Sequence, residues 1–133
     1  MGIRCDKIVG YSLDIMEEWE SLKDAKKDKL LEMNNSELGY VGYYSKDNMK
    51  DKVTIIYDGL DGNYCKLIYI MEINTNGYDD DCVEVNKCVN SLLETATVSF
   101  SVKQKIKQVY KELFGVDLNR TSRIHAEYIT HFH

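Results

Sequence analysis

The feature that most constrains this chain is a β-hairpin pattern near its middle. Two runs rich in β-branched and aromatic residues, 53–57 and 63–73, flank the loop Asp58-Gly-Leu-Asp-Gly62. Asp-Gly pairs suit such a loop because glycine accepts the positive φ that tight hairpin turns require. The second run is apolar on both alternating faces, with Leu67 on one and Ile68 on the other. We therefore expect 63–73 to be an interior strand, covered on both sides.

The flanking segments predict further elements. Apolar residues at helical spacing predict three helices, and β-branched or alternating runs predict three more strands. The predicted helices are 14–33, 82–92 and 101–114. The additional predicted strands are 7–13, 38–44 and 122–132. Asp14 with Glu17 forms a capping-box pattern, Ser101 is the expected cap of the last helix, and Gly115 is its expected end.

This order, β-α-β-β-β-α-α-β, predicts an α+β fold. The expected architecture is a mostly antiparallel four- or five-stranded sheet with about three helices, in a single domain of residues 1–133. Because the run 63–73 is apolar on both faces, either helices cover both sides of the sheet or one side meets a second copy. We favour the second arrangement, a homodimer.

Composition excludes several function classes. A net charge of −5 lacks the basic footprint of non-specific nucleic-acid binding. The chain has neither an apolar signal-peptide core nor the roughly 20-residue apolar run of a membrane span, so we expect a cytoplasmic protein without membrane contact. The four cysteines lack a C-x-x-C spacing and are expected to be reduced thiols.

No motif of catalysis or cofactor binding is recognisable. The serines, cysteines and histidines lack an activating context such as G-x-S-x-G, and no glycine-rich phosphate loop occurs. His125 and Glu127, or His131 and His133, share a strand face, but the two pairs lie too far apart on a strand to hold one ion. We therefore expect no cofactor, no metal and no catalytic residues, and we favour a protein that is not an enzyme.

A candidate anion site lies between the last helix and the last strand, over residues 119–123. Two of the three arginines of the chain flank two hydroxyls there. Arginine forks, hydroxyls and loop amides suit a phosphate or carboxylate ligand. The alternative is that these cations only offset the dipole of the preceding helix. The candidate ligand-binding residues are Asn119, Arg120, Thr121, Ser122 and Arg123.

These observations favour a small acidic intracellular binding protein. Small size, acidity, an excess of Lys over Arg and the absence of catalytic motifs are typical of a phage- or mobile-element-encoded inhibitor that binds a host protein. The ten tyrosines, a residue type that interfaces favour, predict a tyrosine-rich binding surface. One alternative is a small-molecule binder, such as a nucleotide-signal sponge, that uses Arg120 and Arg123. A small enzyme subunit is another. The expected partner is a protein, with a nucleotide or phosphate ligand under the alternative.

Overall fold

The computed structural model describes residues 5–30, 51–58, 61–74, 89 and 98–132. The strands within them are β1 (Cys5–Asp14), β2 (Val53–Tyr57), β3 (Cys65–Asn74) and β4 (His125–Phe132). The helices are α1 (Met16–Glu20), α2 (24–30) and α3 (Phe100–Phe114), and a 3-10 turn covers Thr121–Arg123. The strands form an antiparallel sheet in the order β2-β3-β1-β4, which confirms the predicted α+β fold.

Two predicted elements fall outside this description. The strand predicted over 38–44 lies outside the described residues, and so does the helix predicted over 82–92 except for Val89. Val89 is helical and packs against the main apolar core.

The predicted hairpin is present as β2 and β3, and Asp58 organises its loop. The Asp58 carboxylate accepts hydrogen bonds from the backbone N–H groups of Asp61 (3.2 Å) and Asn63 (3.0 Å). Gly62 has a φ of 69°, the left-handed conformation for which a glycine is expected in such a loop. β3 pairs with β2 on one side and β1 on the other, so the expectation of an interior strand is confirmed.

One face of the sheet packs against the helices. Trp19 of α1 and Ile106 and Leu113 of α3 are buried there, against sheet residues that include Leu13 and Leu67. The stripe of α3 repeats at the spacing of one helical face, as the sequence predicted.

The other face carries a second apolar cluster, built from isoleucines of all four strands. Their side chains are at most 7 % exposed, although no described helix contributes a buried residue to the cluster. These residues are Ile8, Ile56, Ile68, Ile70, Ile73 and Ile129. Because they are buried within a single chain, covering this face does not require the second copy that motivated the homodimer prediction.

The sheet curls strongly, so that the start of β3 and the end of β4 meet on the isoleucine side. Lys66 of β3 lies opposite Asp14 of β1, and His131 of β4 lies opposite Asp6 of β1. Asp6 and Asp14 are eight positions apart along β1. In a flat sheet, that separation is roughly 26 Å at about 3.3 Å per residue. Yet the hydroxyl of Tyr64, close to Lys66 in the chain, is 2.7 Å from Nδ1 of His131. The sheet must therefore curl so that the start of β3 meets the end of β4.

A bulge accompanies this curl. The pairing of β1 with β3 shifts register between Val9 and Gly10, and bulges increase the local twist of a sheet. A Cβ built on Gly10 would lie 2.0 Å from the carbonyl oxygen of Tyr69. Only glycine therefore allows β1 and β3 to approach this closely.

The predicted helix 14–33 is interrupted, and its start is displaced. The N–H of Ile15 donates to the carbonyl of Cys65 (2.9 Å), which extends the sheet ladder beyond β1. The carboxylate of Asp14 still accepts a hydrogen bond from the first helical N–H, that of Met16, at 3.0 Å. The hydroxyl of Ser21 donates to the carbonyl of Glu18 (2.6 Å), a local bond that competes with helix continuation, and α1 ends before it.

The boundaries of α3 and β4 also differ from the prediction. α3 begins at Phe100, and the hydroxyl of Ser99, not of Ser101, accepts the N–H of Val102 (3.3 Å). Its end at Gly115 is confirmed, with φ of 72° and an N–H bond to Lys111 O. β4 begins at 125 because 121–123 form a 3-10 turn.

Candidate functional site

The loop predicted to bind an anion connects α3 to β4 and is anchored by apolar residues at both ends. Leu118 and Ile124 are buried, whereas Asn119, Arg120 and Ser122 are exposed and Thr121 is half-buried. Within the turn, the N–H of Ile124 donates to the carbonyl of Thr121 at 3.0 Å. The structure therefore presents most of the predicted site residues to solvent.

The side chain of Arg123 extends to β1 and α1. Its guanidinium donates to the carbonyl of Asp14 (2.7 Å) and to the carboxylate of Glu18, at 3.1 Å to Oε2 and 3.3 Å to Oε1. Tyr110 of α3 lies beside Glu18 and Arg123, and burial, followed by the Glu18 charge, raises the pKa of the Tyr110 hydroxyl. The Arg123 fork is thus occupied by groups of the chain itself.

A pocket of about 330 Å³ lies beside this ion pair. Its lining contains three carboxylates and one guanidinium, and the guanidinium is paired with one of the carboxylates. The lining residues are Asp14, Met16, Glu17, Glu18 and Arg123. The net negative charge of this lining opposes a phosphate or nucleotide ligand. Anion binding by the 119–123 loop remains a prediction, and this geometry does not favour it.

A second polar cluster lies on the isoleucine side, at the start of β4. The carboxylate of Glu127 accepts hydrogen bonds from the hydroxyl of Ser12 and the ammonium of Lys66, and its Oε2 lies 3.5 Å from Nε2 of His125. His125 and Glu127 therefore share a face, as the alternation in the sequence indicated. In the described part of the chain, no group of three or more His, Cys, Asp or Glu side chains is arranged to hold a metal.

The chemistry of this cluster is that of a stable ion pair. Burial by itself raises the pKa of Glu127, but the hydrogen bonds from Lys66 and Ser12, with the charges of Lys66 and His125, outweigh it and lower that pKa. A carboxylate with a lowered pKa is a weak general base near neutral pH. The Ser12 hydroxyl donates to this carboxylate and is completely buried. These contacts hold β1, β3 and β4 together.

Cys65, the one cysteine whose side chain is described, is a free, completely buried thiol. Burial, reinforced by the charges of Asp14 and Glu18, raises the pKa of Cys65 to about 12. A thiol in that environment is not a nucleophile at neutral pH.

The surface that the sequence did not reveal is the outer edge of β4. In the described sheet β4 is a terminal strand, paired only with β1. The backbone N–H and C=O groups of successive strand residues point to alternate sides of the strand. Because the N–H of Ile15 donates to β3, the odd-numbered residues of β1 direct these groups to β3, and the even-numbered residues direct them to β4. Their partners are the odd-numbered residues of β4. Ala126, Tyr128 and Thr130 therefore direct their backbone N–H and C=O groups away from the sheet.

The side chains of these three residues are also exposed. Tyr128 is 44 % exposed, and Ala126 and Thr130 are exposed beside it. The face of β4 that carries Ile129 and His131 lies on the isoleucine side of the sheet, and these two residues are buried there. The period-two pattern could assign residues to faces, but not decide which face is buried, because that depends on pairing with β1.

No protein-family model, curated protein or solved structure matches this chain. No helix in the described residues is long and apolar enough to cross a membrane.

Proposed function

We propose that this protein acts by binding another polypeptide, and that the outer edge of β4 is the binding surface. The observation that carries the proposal is the coincidence of outward backbone groups and exposed side chains at Ala126, Tyr128 and Thr130. An extended segment that pairs with such an edge gains main-chain hydrogen bonds, and the alternate side chains supply specificity.

The composition of this edge supports the proposal. Natural proteins protect sheet edges with lysine, proline or bulges. The exposed face of β4 carries none of these between Ala126 and Thr130, and the one carboxylate of this stretch, on Glu127, is paired with Lys66. Tyr128 has the apolar body and polar tip that are common at protein interfaces.

The form of function that we propose is inhibition of a host protein, as by a phage- or mobile-element-encoded inhibitor in the cytoplasm. The support for this form is compositional: a short acidic chain of net charge −5, an excess of Lys over Arg, and no recognisable catalytic motif. The alternatives are a nucleotide sponge that uses the 119–123 loop and a small enzyme subunit. The paired Arg123, the acidic pocket and the weakly basic Glu127 favour neither.

The test compares three forms of the protein as affinity baits in a lysate of the host cell. The forms are the wild type, Tyr128→Lys, which places a charge on the edge, and Val116→Lys. Val116 is a matched control because it is apolar, 57 % exposed and outside the sheet. We expect a partner that is retained by the wild type and Val116→Lys and lost by Tyr128→Lys. A partner retained equally by all three would refute binding at β4.

Hydrogen exchange on the purified complex then locates the contact. If a strand is added to β4, the amides of Ala126, Tyr128 and Thr130 become protected on binding, since these amides point outward in the free chain. Protection elsewhere with no change at these amides would contradict the proposal.

A further inference from the structure

Helix α3 is positively charged, although the chain as a whole is acidic. It contains four lysines and one glutamate, whereas the whole chain has a net charge of −5. The residues outside α3 are therefore more acidic, taken together, than the chain as a whole. This contrast makes α3 a local positive surface on a negatively charged protein.

Three of these lysines form a row beside the buried stripe of α3. Lys103, Lys107 and Lys111 each directly follow a residue that the helix buries, and they are four positions apart. At about 1.5 Å of rise per residue, successive members are roughly 6 Å apart along the helix axis. The fourth lysine, Lys105, lies over the ring of Tyr69 instead, with its Nζ 5.2 Å from the ring centroid.

The fold itself makes little use of this row. Like charges four positions apart on a helix repel each other and lower its stability. Among the residues that the structure describes, no carboxylate forms an ion pair with Lys103 or Lys107. Lys111 lies 3.5 Å from the carboxylate of Asp117, and both side chains of this pair are well exposed. Local features that oppose stability are expected where they serve binding.

An exposed aromatic ring extends the row at the start of the helix. Phe100 is 76 % exposed, and it precedes Lys103 by three positions, so the two residues are neighbours on the helix surface. The complementary ligand has an apolar side chain followed by carboxylates about 6 Å apart. Every fourth residue of a helix has this spacing, and every second residue of an extended segment comes close to it.

We propose that the α3 flank, defined by Phe100, Lys103, Lys107 and Lys111, docks an acidic segment of a partner polypeptide. Carboxylates of the segment pair with the lysines, and an apolar side chain of the segment packs against Phe100. The contact between Lys111 and Asp117 is an instance of the same pairing within the chain. This surface does not include the β4 edge, and the inference does not rest on the proposed function.

The short length of the row favours a polypeptide over a larger anion. A nucleic acid or an anionic membrane presents negative charge far beyond three lysines, and it would face the acidic remainder of this chain. An acidic segment can confine its carboxylates to the length of the row. Charge complementarity therefore selects a short acidic segment as the occupant.

Fluorescence anisotropy with a labelled synthetic peptide tests this docking on the full chain. The probe has a leucine followed by glutamate at every second position, and its control has glutamine in place of glutamate. The protein should bind the acidic peptide at about 50 mM NaCl and much more weakly at about 300 mM, because salt screens exposed charges. It should not bind the glutamine peptide. Absence of binding to the acidic peptide, or equal binding of both peptides, would overturn the inference.

Two double variants of equal charge locate the contact. Lys103→Gln with Lys107→Gln removes two charges from the row, and glutamine has nearly the helix propensity of lysine. Lys26→Gln with Lys29→Gln is the control, because it removes the same charge from exposed positions of α2. The first should weaken peptide binding about five- to tenfold, since several surface ion pairs act together, and the second should leave it near the wild-type value. Equal weakening by both would mean that only total charge matters, and the α3 flank would then be the wrong site.

Two other probes test the choice of occupant. These are a single-stranded oligothymidylate and vesicles of phosphatidylserine with phosphatidylcholine. Tighter binding of either one than of the acidic peptide, abolished by the Lys103 and Lys107 replacements, would replace the polypeptide as the occupant. Tyr128→Lys should bind the acidic peptide as the wild type does, because the β4 edge takes no part. This variant therefore distinguishes a failure of the α3 flank from a failure of the proposed function.

Discussion

At the scale of single residues, Arg123 connects three parts of the chain that are far apart in sequence or belong to different elements. Its guanidinium reaches from the turn before β4 to the last residue of β1 and to Glu18 of α1. A guanidinium can serve a carbonyl and a carboxylate together because its donors are arranged in a fixed fork. The sequence indicated a cation with hydroxyls nearby, but the partners come from residues more than 100 positions away.

The first prediction separates a structural Arg123 from an anion-binding one. Arg123→Ala should lower the free energy of unfolding by no more than about 1 kcal/mol, because the pair is partly exposed. Arg123→Lys should lower the free energy of unfolding by less than Arg123→Ala, since lysine keeps the positive charge beside Glu18. Thermal melts of both variants measure this, with Arg120→Ala as the exposed control. If a phosphate-bearing ligand stabilised the wild type and not Arg123→Ala, the anion-site prediction would gain support.

The second prediction concerns Glu127 and acid stability. Its pKa in the folded protein lies below the value of 4.5 that the group has without these contacts. The folded state therefore stabilises the ionised form of Glu127 more than the unfolded state does. The resulting stabilisation is present above pH 4.5 and is lost as the pH falls through the folded-state pKa. Glu127→Gln should thus be less stable than the wild type at pH 7, and the difference should shrink below pH 4.5.

Urea unfolding between pH 3 and 7, roughly the range in which carboxylates titrate, measures this difference. Glu20→Gln is the control, because it makes the same change of side chain at an exposed position at the end of α1. A wild-type advantage over Glu127→Gln that stayed constant across this range would contradict the assigned role of the ion pair.

At the scale of elements, the close approach of β1 to β3 depends on a single glycine. The third prediction is that Gly10→Ala prevents correct folding, because the new Cβ would lie 2.0 Å from the backbone oxygen of Tyr69, which cannot move independently of β3. Gly115→Ala is the comparison. Gly115 has a φ of 72° and open space around a built Cβ. Its replacement by alanine should therefore lower the free energy of unfolding by only about 1–2 kcal/mol, and the protein should still fold. Circular dichroism and thermal melts distinguish the two, and a Gly10→Ala protein as stable as Gly115→Ala would refute the prediction.

The short α1 shows how tertiary pairing can override a helical pattern. Apolar spacing predicted one helix over 14–33, and Ile15 and Trp19 of that stripe are indeed buried. However, the bond from Ile15 to Cys65 continues the sheet into the first predicted turn, and the Ser21 hydroxyl engages the backbone where the helix stops. The buried stripe was predictable, but the helix bounds were not.

At the scale of the whole molecule, the sheet curls until the start of β3 contacts the end of β4. The fourth prediction is that Ile68→Asp unfolds the domain, because Ile68 is completely buried in the isoleucine cluster. An unpaired buried carboxylate costs several kcal/mol, which is comparable to the roughly 5–15 kcal/mol stability of a typical domain. Ile68→Val is the control and should cost about 1 kcal/mol. A folded Ile68→Asp protein with the wild-type melting temperature would show that this face is open.

The sequence by itself determined the features that depend on neighbouring residues. Alternation and turn chemistry identified the hairpin, the interior position of β3 and the buried stripe of α3, and Gly115 marked the end of that helix. These signals are local, because side-chain period and backbone conformation are set within a few residues. They were sufficient for the α+β fold class.

Only the tertiary structure decided the features that depend on segments far apart in the chain. The place of β4 at the edge of the sheet, the burial of Ile129 and His131, and the pairing of Arg123 with Glu18 all follow from which segments lie side by side. The contact between Tyr64 and His131 likewise joins segments that are 67 positions apart in the chain. The energies that select such pairings come from contacts between distant residues, and a local pattern carries no record of them.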